Sequence, residues 1–283
     1  MDFLEKEAKA KINIGLDVCG KLENGYHEVK MVMQTVHLSD MITFQKNKTG
    51  KVSMCSSDKT IPEDNRNLMI KAANLFMKTY KIKEGIHMEL EKKIPHAAGL
   101  GGGSADAATT LLACNELFSV QASLAELKKI GVMIGADVPF CIMGGTALAE
   151  GIGEKLTVLS PLPACTILLV KPQISISTAH VYQSFDQIEV SKHPDIGGIM
   201  QALEKQDLKG VCDRLGNVLE EVTISEFPKL KEYKDYMKKH GALGALMSGS
   251  GPTIFGIYED GTDAKKVAEY FKKQSEIASV NIT

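Results

Sequence analysis

The sequence predicts an α+β protein whose second half is of the split-βαβ kind. In the first half, segments with a period of two alternate with segments of helical spacing. In the last third, two helices are followed by strand, turn, strand, helix and strand. A chain of 283 residues can bury one large core or two ordinary ones.

The first element is a strand over residues 8–18, which read AKAKINIGLDV. Apolar side chains occupy one face of this strand, and Lys11 and Asn13 lie together on the other face. We expect that second face to be open. The strand is followed by an Asn24-Gly25 hairpin turn, which delivers Tyr26 and His27 to the start of the next strand. A helix is then predicted over residues 67–80.

A run of glycines connects a predicted strand to a predicted helix. The strand covers residues 86–94 and stops at Pro95, and the helix begins near residue 104 or 105. Glycine lets a backbone approach a ligand closely, and free N–H groups at a helix start attract negative charge. The run is therefore a candidate phosphate site, with tight packing as the alternative.

The glycine run fits neither of two familiar phosphate loops. No lysine follows it, as a Walker A motif requires, and Ser104 stands where a dinucleotide fingerprint has its third glycine. The chain has only two arginines, Arg66 and Arg214. Backbone N–H groups and lysine must therefore bind phosphate, and Lys11 is a candidate. An ordinary strand-edge lysine is the alternative.

Two aspartates are candidate functional groups. Asp137 follows a predicted helix, residues 123–134, and lies in an otherwise apolar stretch where a carboxylate suits a general base. A structural aspartate that bonds loop N–H groups is the alternative. Asp106 falls in the first turn of the helix after the glycines, and we expect it to stabilise that helix start rather than bind a metal.

A proline-containing segment at residues 161–165 is the best candidate domain boundary and divides the chain into residues 1–160 and 161–283. The elements expected after it are a strand at 166–172, helices at 205–222 and 228–240, an SGSG turn at 248–251, a strand at 253–259, a helix at 262–273 and a short final strand.

Composition favours a small-molecule partner. The net charge of −2 gives no sign of a nucleic-acid binder, and the six scattered cysteines lack the spacing of zinc sites. The first eleven residues alternate charge and apolar character and predict no secretory leader, so we expect a cytoplasmic protein. Residues 130–149 are nearly free of charge, but Asp137 and Pro139 argue against a membrane span.

Together these motifs resemble those of the GHMP small-molecule kinases. Residues 95–108, PHAAGLGGGSADAA, are similar to the phosphate loop of that family. The likeness spans residues 8–256 and indicates the branch that acts on a cytidine-diphosphate-linked methylerythritol. The further segments that carry it, in the expected order, are AKAKINIGLDVCGKLENGYHEV, GADVPF, GGTALAEGIGE and SGSGPTIFG.

The resemblance implies a two-domain GHMP kinase fold, with an N-terminal ribosomal-protein-S5-like domain and a C-terminal ferredoxin-like domain. It implies transfer of the γ-phosphate of ATP, with Mg²⁺, to a tertiary 2-hydroxyl in the non-mevalonate isoprenoid pathway. A mevalonate-type or homoserine kinase is one alternative, and a non-catalytic nucleotide sensor is another. Tyr26 and His27 favour the cytidine branch, while Lys11 with Asp137 argues against a sensor.

Individual roles also follow from the resemblance. Asp137 matches the family's base, Lys11 matches the lysine beside it, and Asn13 positions that pair or the substrate. The residues expected to wrap the ATP phosphates are Pro95, His96, Ala97, Ala98, Gly99, Leu100, Gly101, Gly102, Gly103, Ser104 and Ala105. The residues expected to contact the cytidine-linked substrate, besides Asn13, are Tyr26, His27, Thr178, Tyr182, Gly249 and Ser250.

Two positions depart from the family pattern. Ser104-Ala105 stands where two serines are common, and His96 stands where a small or apolar residue is more usual. Neither position affects the proposed base or its lysine. As partners we expect small molecules only, without nucleic acid or membrane, and a monomer or weak homodimer.

Overall fold

A computed structural model describes residues 2–23 and 25–283. Met1 and Asn24 lie outside the described residues, and the predicted Asn24-Gly25 turn lies partly outside them for that reason. The strands of the described chain are β1 Phe3–Lys21, β2 His27–Asn47, β3 Val52–Ser56, β4 Gly85–Glu91, β5 Thr146–Gly151, β6 Lys155–Val158, β7 Thr166–Pro172, β8 Gly216–Asn217, β9 Gly244–Met247, β10 Ile254–Tyr258 and β11 Ile277–Ile282. Its helices are α1 Leu68–Tyr80, α2 Gly102–Leu117, α3 Leu124–Val132, α4 Val138–Met143, α5 Thr178–Phe185, α6 Ile196–Glu204, α7 Leu208–Cys212, α8 Glu220–Glu226, α9 Lys229–Lys239 and α10 Gly261–Lys272.

The described chain forms two compact units, each built from separate stretches of sequence. Unit 1 contains the described residues through Lys11, together with Val36–His96 and Gly101–Gly144. Unit 2 contains Ile12–Thr35, Ala97–Leu100 and Gly145–Thr283. The long strands β1 and β2 contribute to both units. The predicted division between residues 160 and 161 stays a prediction.

In unit 1, helices cover one face of a sheet. The second half of β2 pairs antiparallel with β4, and β4 pairs parallel with β3. Alternate side chains of these strands, such as Phe44 and Met88, are fully buried against Phe76 of α1 and Leu111 of α2. The predicted helix at 67–80 is confirmed as α1, and the Asn67 side chain caps it by accepting a hydrogen bond from the N–H of Met69.

The ends of three unit 1 elements differ from their predictions. Strand β4 stops at Glu91, before the predicted end at residue 94. Helix α2 begins at Gly102, because Gly101 adopts a left-handed conformation and lets the next two glycines enter the first turn. Ser123 and Glu126 form a capping box at the start of α3, but α3 ends at Val132 rather than at the predicted residue 134.

The apolar stretch at residues 130–149 is folded into protein, as expected. It supplies the end of α3, all of α4, which the sequence analysis did not predict, and the start of β5. Val138 and Phe140 of α4 are fully buried. Among the described residues, no helix is both long enough and apolar enough to cross a membrane.

Unit 2 contains a four-stranded antiparallel sheet with the order β11-β7-β10-β9. The predicted strand at 166–172 is confirmed as β7, and the predicted helices near 228–240 and 262–273 are confirmed as α9 and α10. Tyr258 and Phe271 are buried in this part of the unit. Elsewhere in unit 2, β5 pairs antiparallel with the first half of β2 and with β6.

The prediction of one helix over residues 205–222 is wrong. The chain instead forms α7, the short strand β8 and α8. Gly216 and Asn217 are extended because they pair in parallel with Gly15 and Leu16 of β1. The Asn217 side chain also donates hydrogen bonds to the carbonyl groups of Met247 and Gly249, and these bonds fix the extended conformation.

Candidate active site

Lys11 and Asp137 form an ion pair in unit 1. Lys11 lies in β1, and its Nζ is 3.2 Å from Oδ2 of Asp137, the residue immediately before α4. The Lys11 side chain is 6% exposed, whereas the Asp137 side chain is 28% exposed. The lysine is therefore enclosed, while the carboxylate stays accessible. An accessible carboxylate held in place by a lysine can accept a proton from a bound hydroxyl group.

The predicted open face of β1 is wrong at Lys11 and Asn13, because both residues are buried. The Lys11 stem runs past Gly101, and a Cβ added to Gly101 would lie 2.9 Å from Lys11 Cγ. In unit 2, Asn13 Nδ2 donates to Met31 Sδ at 3.3 Å. Both faces of β1 are covered at these residues. The alternation of polar and apolar side chains therefore does not indicate which face is exposed to solvent.

Gly101 shapes the start of α2 in unit 1. Its φ of 67° lies in the left-handed region that glycine adopts without strain. The Ala105 N–H donates to the Gly101 carbonyl at 2.8 Å. The three preceding N–H groups, at residues 102–104, have no acceptor within the helix. Together with the positive end of the helix dipole, these three donors can bind a phosphate oxygen.

The earlier part of the glycine run belongs to unit 2 and is held by the SGSG region. Ser248 Oγ donates to the Gly99 carbonyl at 2.9 Å. Gly99 has φ 75°, and an added Cβ would collide with the Ser248 carbonyl. Ala97 also has a positive φ, of 49°, which is strained for a residue with a Cβ. The loop is therefore a specific conformation rather than a flexible spacer.

A second cluster in unit 1 joins Lys92 to two aspartates. Lys92 Nζ donates to Asp40 Oδ2 at 2.5 Å and to Asp106 Oδ2 at 2.8 Å. The three side chains are at most 6% exposed. Burial raises the pKa of Asp106 to about 8, with Lys92 acting against this shift and Asp40 adding to it. Burial alone would lower the pKa of Lys92, but Asp106 and Asp40 together raise it.

This buried cluster fixes both ends of the segment that contains the glycine run. Asp40 Oδ1 accepts hydrogen bonds from the N–H groups of Lys93 and Ile94, at 2.6 and 2.8 Å, just before Pro95. Asp106 lies in the second turn of α2. The prediction that Asp106 stabilises the first turn is therefore wrong, because α2 starts earlier and no acidic residue occupies its first turn.

In unit 2, His27 lies in a polar and aromatic cluster. Its ring stacks on Tyr182 with a centroid distance of 4.8 Å. His27 Nε2 is 2.6 Å from Asp186 Oδ1, and Lys21 Nζ is 2.5 Å from Asp186 Oδ2. The hydrogen bonds from His27 and then Lys21 hold the pKa of Asp186 below its usual value. Tyr26, next to this cluster in sequence, is 58% exposed.

The SGSG turn of unit 2 is held by buried polar groups. Asn217 Nδ2 donates to the carbonyls of Met247 and Gly249 at 2.9 and 2.8 Å. Ser250 Oγ is 2.8 Å from Thr178 Oγ1 at the start of α5. Gly249 has φ 57°, which a glycine adopts readily. The turn is thus linked to the helix that carries Tyr182.

The structure brings the predicted site residues together in groups. Lys11 joins Asp137, His27 joins Tyr182, and Thr178 joins Ser250. His96 is exposed, and Ala105 is buried inside α2. Several residues that hold these groups in place were not predicted from the sequence, namely Asp40, Lys92, Asp186 and Asn217. A signal for Asp186 existed, because it follows Tyr182 by four residues, the spacing of neighbours on a helix face.

Comparison with known families matches both halves of the chain. Residues 67–145 match the GHMP kinases N terminal domain, and residues 199–277 match the GHMP kinases C terminal family. A protein of Lachnospira eligens called 4-diphosphocytidyl-2-C-methyl-D-erythritol kinase is 46% identical over 283 residues, which cover 100% of this chain and 98% of that protein. A protein of the same name from Clostridium novyi is 49% identical over 94% of this chain and 95% of its own length.

Solved structures of GHMP kinases also superpose on this chain. The crystal structure of a 4-(cytidine 5'-diphospho)-2C-methyl-D-erythritol kinase superposes with a TM-score of 0.82 and 32% identity, covering 99% of this chain and 98% of that one. A homoserine kinase from Cytophaga hutchinsonii superposes with a TM-score of 0.79 but only 21% identity, covering 100% of this chain and 95% of that one. The second likeness shows a shared fold alone.

Proposed function

We propose, from the premise that the chain belongs to the GHMP kinase family, that it transfers the γ-phosphate of ATP to 4-diphosphocytidyl-2-C-methyl-D-erythritol. The 2-hydroxyl is phosphorylated, and the products are the 2-phosphate and ADP, in the non-mevalonate isoprenoid pathway. This proposal rests on the relatives called 4-diphosphocytidyl-2-C-methyl-D-erythritol kinase. Each of them matches this chain along nearly its whole length and along nearly the whole of its own. The family of the chain implies the use of ATP.

Asp137 is the proposed general base. The substrate oxygen forms a bond to the γ-phosphorus while the bond from that phosphorus to the bridging oxygen of ADP breaks, and Asp137 takes the hydroxyl proton. Lys11, 3.2 Å away, orients the carboxylate and offsets the negative charge that builds on the transferred group. Asn13 follows two residues later in β1, and we assign it to the orientation of the substrate.

Residues 95–105 are proposed to bind the ATP phosphates. The free N–H groups at the start of α2 and the left-handed Gly101 support this role, because they present donors and leave room for a close backbone approach. The two arginines, Arg66 and Arg214, pair with Asp64 and Asp195. Mg²⁺ is proposed to enter with ATP as its phosphate-bound counterion.

His27 and Tyr26 are proposed to hold the cytosine. With an ionised Asp186 as acceptor, His27 carries its proton on Nε2, so Nδ1 is a hydrogen-bond acceptor. The exocyclic amino group of cytosine is a matching donor. The exposed Tyr26 ring offers a flat surface for contact with the base. Thr178, Tyr182, Gly249 and Ser250 complete the proposed substrate contacts.

The cysteines bear on the compartment in which the protein works. All six cysteines are free thiols, which supports a reducing compartment such as the cytoplasm. We propose that the protein is a monomer or a weak homodimer. Gel filtration with light scattering at several protein concentrations measures the assembly state directly.

An ADP-release assay against a panel of acceptors tests the proposed reaction. We expect turnover with the cytidine-linked methylerythritol and none above background with mevalonate or homoserine. His27→Ala should raise the KM for the cytidine-linked substrate about tenfold or more and leave the KM for ATP nearly unchanged, because the lost hydrogen bond concerns one substrate only. His240→Ala, which removes a surface histidine stacked on Tyr236, is the control. Turnover of mevalonate or homoserine instead would contradict the assignment.

A further inference from the structure

The open face of the β3–β4 strand pair in unit 1 carries a cluster of metal-ligating side chains. The two strands pair in parallel, which places Cys55 opposite Glu89 and Ser53 opposite His87. Met54 and Met88 of the same strands are buried in the core of the unit, so the alternation of side chains directs the polar set to the other face. None of these residues belongs to the proposed kinase site.

The cluster combines three different ligand types. A sulfur of Cys55, a ring nitrogen of His87 and a carboxylate oxygen of Glu89 all lie within 4.8 Å of one another. Thiolate, imidazole and carboxylate are the three groups that bind Zn²⁺ in proteins, and the ligand atoms of a tetrahedral zinc ion lie about 3.3–3.6 Å apart. Small changes of side-chain rotamer therefore suffice to bring the three atoms to the distances of a bound ion.

The orientation of His87 suits a metal ligand. Its Nδ1 is 2.9 Å from Ser53 Oγ, which leaves Nε2 directed toward Glu89, whose Oε1 is 3.8 Å away. When Nδ1 carries the proton and donates it to Ser53, the lone pair of Nε2 is available for a metal. Metal-ligating histidines usually donate their second ring N–H to a fixed acceptor, and the Ser53 hydroxyl can serve as that acceptor here.

We propose that Cys55, His87 and Glu89 bind one divalent transition-metal ion, with Zn²⁺ as the best chemical match and water in the fourth position. The ligands come from two strands whose backbones are already hydrogen-bonded, so binding orders only side chains. Binding also connects β3, which lies at the edge of the sheet order, to β4.

Titration with Co²⁺ tests this site directly, because Co²⁺ takes the coordination of Zn²⁺ and its bond to a thiolate gives a charge-transfer absorption band. The full-length chain is used without a histidine tag, reduced and freed of metal with a chelator. We expect a charge-transfer band that saturates at one equivalent and disappears on addition of Zn²⁺. Ser53→Ala should weaken the affinity for Co²⁺ about tenfold, because it releases the His87 ring.

Two matched cysteine variants test whether Cys55 is the thiolate ligand. Cys55→Ser should abolish the charge-transfer band, whereas Cys19→Ser, which changes an exposed cysteine of β1, should retain it. Glu89→Gln, at an exposed side chain, should keep the fold and weaken binding. The absence of a band in the unmodified chain would overturn the proposal. A band of equal strength in Cys55→Ser would overturn it as well.

Discussion

Unit 1 contains two clusters of lysine and aspartate that differ chiefly in access to solvent. In the first, Lys11 is 6% exposed and its partner Asp137 is 28% exposed. In the second, Lys92 is equally enclosed, but its partners Asp40 and Asp106 are 0% and 5% exposed. We propose that the same chemical groups serve two purposes here. An accessible carboxylate can exchange a proton with a substrate, whereas enclosed carboxylates can only hold the protein together.

The two clusters meet neighbouring residues of the glycine run. A Cβ on Gly101 would lie 2.9 Å from Lys11 Cγ, and a Cβ on Gly102 would lie 3.0 Å from Lys92 Nζ. Each glycine thus makes room for one of the two lysines. The need for glycine here comes from packing as well as from the left-handed φ of Gly101. Phosphate binding and tight packing, which the sequence presents as alternatives, are compatible at this loop.

Lys92→Met gives the largest expected effect on stability. The change leaves Asp40 and Asp106 buried without their shared cation, and we expect the free energy of unfolding to fall by about 3–5 kcal/mol. Urea denaturation followed by circular dichroism measures this loss. Lys93→Met is the control, since Lys93 is 55% exposed and its ion pair with Glu91 contributes about 1 kcal/mol or less. Equal losses in the two variants would remove the distinction between the clusters.

Lys11→Met should lower turnover strongly and stability only slightly. The methionine keeps most of the packing of the lysine stem, and Asp137 retains contact with water, so we expect a stability loss of about 1 kcal/mol or less. Turnover should fall by roughly 100-fold to 1000-fold, the usual effect of removing one charge-stabilising donor. Lys9→Met, at an exposed position of the same strand, provides the comparison. Normal turnover in Lys11→Met would argue for a structural role alone.

Asp106→Asn should change how the free energy of unfolding depends on pH. The pKa of Asp106 is raised to about 8 in the folded chain. Between about pH 4 and pH 8 the folded chain therefore holds this proton, whereas the unfolded chain has released it. This group therefore lowers the free energy of unfolding as pH rises through that window. The asparagine retains an oxygen for Lys92 and does not titrate, so the variant should lose stability less steeply between pH 5 and pH 8 than the parent chain.

Urea denaturation at several pH values measures this difference in slope. Asp235→Asn, at an exposed side chain paired with Lys231, serves as the control and should follow the parent chain. Parallel curves for Asp106→Asn and the parent would mean that Asp106 does not titrate in this window. The Oδ1 atom of Asp106 has no hydrogen-bond partner among the described residues.

The sequence predicted the strongly periodic elements well and the doubly covered ones poorly. Helix α1 and strand β7 have one clear pattern each, and both were predicted within a residue or two. The face of β1 that carries Lys11 and Asn13 was predicted to be open, because alternation shows polarity and not what packs on it. The short strand β8 depends on pairing with a segment 201 residues earlier in the chain, which no local pattern reports.

The buried cluster was missed although the sequence contained a signal for it. Asp40 shares the inward parity of Ile42 and Phe44 on β2, and Lys92 shares the parity of Leu90 after β4. Opposite charges at inward positions of paired strands predict a buried ion pair. The third member, Asp106, could be placed only once the start of α2 was known. Tertiary structure, rather than propensity, determines that start.

The most direct test of the account is the turnover of Asp137→Asn with the cytidine-linked methylerythritol and ATP, measured by ADP release. The asparagine preserves the shape of the side chain and removes its ability to take a proton. We expect turnover to fall about 100-fold to 10,000-fold, with ATP affinity and the free energy of unfolding nearly unchanged. Turnover close to that of the parent chain would contradict the assignment of Asp137 as the base.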